Sequence, residues 1–186
     1  MRRVALILVM AFTVWGAGTS GYCADNDTYS QAEIRAEVEG FFEETTAGLA
    51  DIIEKIFKER GRPNGFIKGG EGGGAIFVGL RYGEGTLQLK SGSTRKVYWQ
   101  GPSVGFDLGG NASKVFTLIY NLNDPQEIFQ RFPGVDGSAY VVGGFSMNYQ
   151  QSNEIILAPI RTGVGLRLGA NVGYLHYTQD KRYNPF

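Results

Sequence analysis

"GVGLRLGANVGYLHYT", residues 163–178, alternates with a period of two. Val164, Leu166, Leu168, Ala170, Val172 and Tyr174 fall on one face, and Gly163, Gly165, Arg167, Gly169, Asn171 and Gly173 on the other. A period of two predicts a strand. Glycine repeated along one face of it permits sharp coiling and the close approach of another element. Upstream as far as residue 64, glycine stays dense while Phe and Tyr remain frequent, so the segment has the apolar anchors that disordered chains lack. Strands are expected at 65–69, 74–82, 85–91, 95–100, 103–109, 113–121, 138–150, 153–161 and 163–178. So many short glycine-bearing strands predict a small, strongly curved β-barrel of antiparallel strands, whose closure also removes exposed edges. An interior that is filled and one that is hollow are both compatible with that size.

The rest of the chain makes the fold class mainly β with an N-terminal helix. Residues 30–60 predict one long helix. Ser30 and Glu33 form a capping box, Gly61 supplies a C-terminal cap, and Pro63 prevents continuation. Ile34, Val38, Phe41, Leu49, Ile52, Ile53, Ile56 and Phe57 recur at near-helical spacing, a stripe expected to pack on the sheet. The other face is acidic, unlike the Lys/Arg face of a membrane-surface helix. A second, short helix is expected in "NDPQEIFQRF", residues 123–132, with Asp124 as cap, Pro125 in its first turn and Pro133 as its stop.

Ahead of the helix, Arg2 and Arg3 precede "VALILVMAFTVW" and then small and polar residues, the pattern of a cleaved secretory signal over residues 1–24. The apolar run is shorter than the roughly 20 residues a membrane span needs. Lipid attachment at Cys23 would want a small residue before it, and Tyr22 stands there. The expected organisation is a signal peptide at 1–24, an acidic amphipathic helix within 25–63 packed on the barrel, the barrel at 64–178, and a C-terminal tail at 179–186. Residues 25–60 carry 10 acids against 4 bases, and residues 61–186 carry 8 acids against 12 bases. No basic footprint for nucleic acid results. With one histidine and one cysteine in the whole chain, no metal site or cofactor is expected.

Gly101-Pro102-Ser103-Val104-Gly105 matches the G-x-S-x-G pattern of serine hydrolases. That elbow requires a strand, a sharp turn and a helix. Here Val104, Phe106 and Leu108 alternate with Gly105, Asp107 and Gly109, so Ser103 reads as a strand residue. The glycines of residues 69–79 are likewise followed by a strand-like run and not by the helix a dinucleotide loop needs. Phe186 ends the chain as in outer-membrane barrels, but Asn184, Arg182, Asp180 and Thr178 make its face polar.

The order of "GGEGGGAIFVGLRYGEG", "VYWQGPSVGFDLGG", "VFTLIYN", "IFQRFPGVDGSAYVVGGFSMNY" and "IILAPIRTGVGLRLGANVGYLHY" resembles the envelope integrity protein A family. That family is in turn similar to SYLF domains. The resemblance covers about residues 30–178 and implies a periplasmic, non-enzymatic barrel that supports the cell envelope. It carries over no catalytic residues. Partners in keeping with it are an envelope lipid, a lipopolysaccharide component or a periplasmic protein. Candidate ligand contacts are Arg167 for an anion, and Trp99 with its neighbour Tyr98 for stacking on a sugar or headgroup. Their structural alternatives are a barrel-closing Trp99 and an Arg167 paired with Asp107 or Glu71. The competing function is a serine hydrolase using Ser103 and His176, which demands that the two lie about 3 Å apart.

Overall fold

A computed structural model describes residues 27–74, 78–104, 113–162 and 173–182. Two helices, α1 (Gln31–Phe42) and α2 (Ala47–Arg60), precede ten strands. These are β1 (Gly65–Gly74), β2 (Val78–Leu89), β3 (Thr94–Val104), β4 (Ser113–Tyr120), β5 (Arg131–Pro133), β6 (Tyr140–Val142), β7 (Phe145–Met147), β8 (Gln150–Ser152), β9 (Ile155–Thr162) and β10 (Tyr174–Thr178). All pairings are antiparallel, in the order β5-β10-β3-β2-β1-β4-β9-β7-β6, with β8 also on β9. The circuit closes through a bridge between Gly134 and Gln150 and a 2.9 Å bond from the Val135 N–H to the Tyr149 carbonyl, which join the β5 end to the β8 end. The sheet forks at β9. Its first residues hold β8 within the barrel, and its last hold the β7–β6 hairpin beneath α2.

Side-chain alternation divides the apolar residues into two cores. Ile67, Leu87, Val97, Trp99, Ile119, Phe132, Leu157, Leu175 and Tyr177 fill the barrel. Phe66, Phe116, Leu118, Ala158 and Ile160 face outward and meet Ile34, Val38, Leu49, Ile52, Ile53 and Ile56 of the helices. β4 is therefore buried on both faces from Val115 to Tyr120, which is why its sequence is nearly all apolar.

The ends of the helical region follow the capping signals. The Ser30 hydroxyl accepts from the Glu33 N–H at 3.3 Å, the Glu33 carboxylate accepts from the Ser30 N–H at 2.8 Å, and Gly61 closes α2 with a φ of 74°. The middle does not. The single helix expected over 30–60 is two helices, because Glu43 turns left-handed at φ 59° and Thr46 starts a new helix by accepting from the Leu49 N–H. The break lets Phe42 turn onto Phe145 while α2 follows the curving sheet.

Three further expectations are corrected. The second helix is one 3-10 turn, Pro125–Ile128, because Phe132 is drawn into the barrel and Arg131–Pro133 pair with β10. Of the strand expected at 74–82, Gly74 ends β1, residues 75–77 lie outside the described residues, and Val78–Tyr82 run on without a turn through Gly83 to Leu89 as the one strand β2, Gly83 clearing space for the Trp99 ring. The run at 138–150 is a β6–β7 hairpin followed by the start of β8. Residues 105–109 and 163–172 of the expected strands lie outside the described residues; Ser103 and Val104 end β3, and residues 174–178 form β10.

Part of the charge asymmetry is met by ion pairs between the helical layer and the sheet. Glu33, Glu37 and Glu43 of the helical layer pair with Lys90, Lys68 and Lys114 of the sheet. The hydrogen bond from Lys90, with those from the Ser30 backbone and hydroxyl, lowers the Glu33 carboxyl from 4.5 to about 2. A depressed carboxyl contributes stability that is complete above its unfolded value and lost as pH falls through the folded one. Melting temperature is therefore expected to hold down to about pH 5 and decline toward pH 2, with a shallower decline in Glu33→Gln. Equal acid slopes in thermal melts of the two proteins would refute this.

Candidate functional site

Two polar arrangements occupy the region where β1, β2 and β3 run together. The first lies inside the barrel. Glu71 of β1 is 2% exposed and accepts from Arg161 Nε of β9 at 2.7 Å and from Trp99 Nε1 of β3 at 3.2 Å. Arg161 also donates from Nη1 to Asn148 Oδ1 at 2.7 Å, and Arg81 Nε of β2 stands 3.6 Å from Glu71. Burial pushes the Glu71 carboxyl up, and the two guanidiniums together with the Trp99 N–H more than offset it, so it lies below the ordinary value of 4.5. Tyr177 packs tilted against Trp99 at 5.8 Å and meets Phe132 edge-on at 5.6 Å; burial raises its hydroxyl pKa. This cluster sets a buried Glu71–Arg161 ion pair in the described interior.

The second is a cleft on the outer face, with a volume of about 400 Å³. Register builds it. Gly72 pairs with Tyr82, Tyr82 with Gln100, Gly70 with Glu84, and Glu84 with Tyr98. These residues share one face of the sheet because each strand alternates. Lys181 and Arg182 of the tail line the cleft from above. Lys96 lies 5.2 Å over the Tyr98 ring and 3.7 Å from Glu84. Gln100 is 1% exposed, and its Nε2 has no hydrogen-bond partner among the described residues.

The sequence candidates scatter. Trp99 is 2% exposed inside the barrel, so its ring is a lining element bonded to Glu71. Tyr98 is on the outer cleft. Arg167 lies outside the described residues, and the barrel partners of Glu71 are Arg161 and Arg81, which the sequence reading did not single out. Arg161 could have been flagged as the lone charge closing the otherwise apolar "IILAPIR". Ser103 sits in antiparallel β3 opposite Gly79. His176 pairs with Gln100, three residues away along β3, or about 10 Å at the strand rise. Burial first, then Arg131 and Arg182, lower the His176 pKa below 6.5. Among the described residues no cluster of His, Cys, Asp and Glu could hold a metal ion, and no helix is long and apolar enough to cross a membrane.

The crystal structure of a beta-barrel-like, uncharacterized protein from Brucella abortus is 48% identical to this chain, with a TM-score of 0.78. The likeness covers 86% of this chain and 99% of that one. No curated protein matches. The model of the family described as Envelope integrity protein A matches residues 27–186. With the match spanning both helices and every strand of the barrel, the chain belongs to the envelope integrity protein A family.

Proposed function

We propose that the protein is an exported, non-catalytic binding component of the cell envelope, which supports envelope integrity by holding an envelope lipid, glycan or protein partner from the periplasmic side. Family membership supports the envelope role. The leader-like residues 1–24 support export. The observation that carries the binding role is the outer cleft with the buried Gln100, whose Nε2 has no partner among the described residues. Binding sites are concave, largely apolar and carry a few placed polar groups. The described interior, by contrast, is occupied by its own side chains.

The test is native mass spectrometry of the protein isolated from the envelope fraction of its own cell, after incubation with a total envelope extract. A retained adduct, or a defined neighbour trapped by cross-linking in the periplasm, is the expected result. Recovery only from the cytoplasm, or a bare mass with no cross-linked neighbour, overturns the reading.

A further inference from the structure

Glycine inside a strand weakens it, having no side chain to pack and more backbone freedom to lose. Some strand glycines here are forced. A Cβ on Gly83 would fall 2.1 Å from the Trp99 ring, and one on Gly101 would fall 2.0 Å from the Tyr174 carbonyl oxygen. Gly70 and Gly72 are different. Among the described residues, a Cβ on Gly72 would meet nothing within 4 Å, and one on Gly70 only the Ser113 carbonyl at 3.6 Å. Neither has a positive φ. Open space alone means little, since Gly40 on α1 is equally open. The outer cleft adds a second, independent observation in Gln100, a buried amide whose donor has no acceptor among the described residues, which native proteins rarely tolerate.

We propose that the cleft over Gly70 and Gly72 is a carbohydrate site that takes a sugar ring bearing a carboxylate or phosphate. The proposal rests on the binding role above and names its ligand class. The bare glycine floor leaves the thickness of a ring open beside Tyr82 and Tyr98, whose amphipathic faces suit the apolar side of a sugar. Gln100 Nε2 donates to a ring or hydroxyl oxygen. Glu84 on the rim accepts from a hydroxyl, and Arg182 faces the anionic group. Over Gly70, Glu84 and Tyr98 each strand is paired to a neighbour on both sides, so the cleft offers a ligand the face of the sheet there and not a strand edge for a peptide to extend. A hydrocarbon chain would leave the Gln100 amide unsatisfied.

The experiment is calorimetric titration of the full processed chain with cellobiuronic acid, with neutral cellobiose, with inorganic phosphate, and with vesicles carrying a uronic-acid glycolipid. Gly72→Val fills the floor without strain, and Gln100→Met removes the donor at similar volume. The expected result is binding of the uronate disaccharide, weakened about tenfold for cellobiose and in Gln100→Met, and abolished in Gly72→Val. The Gly72→Val melting temperature should equal or exceed that of the parent, which separates occlusion from misfolding. Binding only to the glycolipid vesicles supports the same chemistry from a lipid source. Uronate binding unchanged in Gly72→Val overturns the site. So does binding of phosphate alone. No sugar binding, with an envelope adduct that Gly72→Val does not displace, overturns the sugar cleft while leaving the binding role intact.

Discussion

Glu71→Gln is expected to lower folding stability by about 3–5 kcal/mol, the largest single-residue loss in the barrel, because it strands buried positive charge. Arg161 is 6% exposed and cannot turn to solvent, whereas Arg81 keeps 19% of its side chain accessible. The amide oxygen of glutamine can still accept from the Trp99 N–H, but its NH2 group then faces the Arg161 donor, so the loss combines the missing charge with the Arg161 hydrogen bond and spares the indole bond. Equilibrium denaturation at neutral pH measures it. The double variant Glu71→Leu, Arg161→Met removes both charges together and should recover most of the loss, since buried pairs roughly break even against apolar replacements. The sign of the pH effect follows from the lowered carboxyl. Stability from Glu71 is complete above about pH 4.5 and lost as acidification protonates it, so the Glu71→Gln penalty should shrink in acid. A loss below about 1 kcal/mol, the size of an exposed pair, would mean that water reaches the cluster through the end of the barrel.

Local signals carried much of this fold. Ser30, Glu33 and Gly61 mark ends that backbone hydrogen bonding must satisfy wherever the helix packs, so they could be read from spacing alone. Glu43 could not, because its left-handed turn answers to the seat of Phe42 on Phe145, a partner about a hundred residues away. Phe132 escaped for the same reason, since its helical neighbourhood yields to burial against Tyr177. Gly83 and Glu84 read as a break between two strands, although Gly83 reports the Trp99 ring packed against it. The site was less legible still. Gly72, Tyr82 and Gln100 become neighbours only through register, and nothing in one strand shows what the next will place beside it. Tyr98 was named and Gln100 was not, because an aromatic is conspicuous in a sequence and an unsatisfied amide exists only in a structure.

Gly83→Ala should destabilise the protein by about 1–3 kcal/mol or more, although alanine is the better strand residue. The added carbon would stand 2.1 Å from Cε2, 2.3 Å from Nε1 and 2.4 Å from Cζ2 of Trp99, directly against the ring. The ring has no room to withdraw. Glu71 holds its N–H, Tyr177 packs against it, and Gly69 meets its far edge, where a Cβ would lie 2.8 Å from Cη2. Relief therefore requires β2 and β3 to separate or Glu71 to lose its indole donor. Fluorescence can distinguish these outcomes. The chain has two tryptophans, Trp15 and Trp99, so protein expressed from residue 25 onward emits from Trp99 alone. The parent should emit in the blue, and Gly83→Ala should shift red as the indole is displaced toward water. In a Trp99→Leu background the same glycine substitution should cost little or nothing, leaving a coupling energy near the full single-site loss. If Gly83→Ala is neutral and the emission does not move, the glycine is not there to seat the indole. The Trp99–Glu71–Arg161 arrangement would then follow from the strand spacing and would not set it.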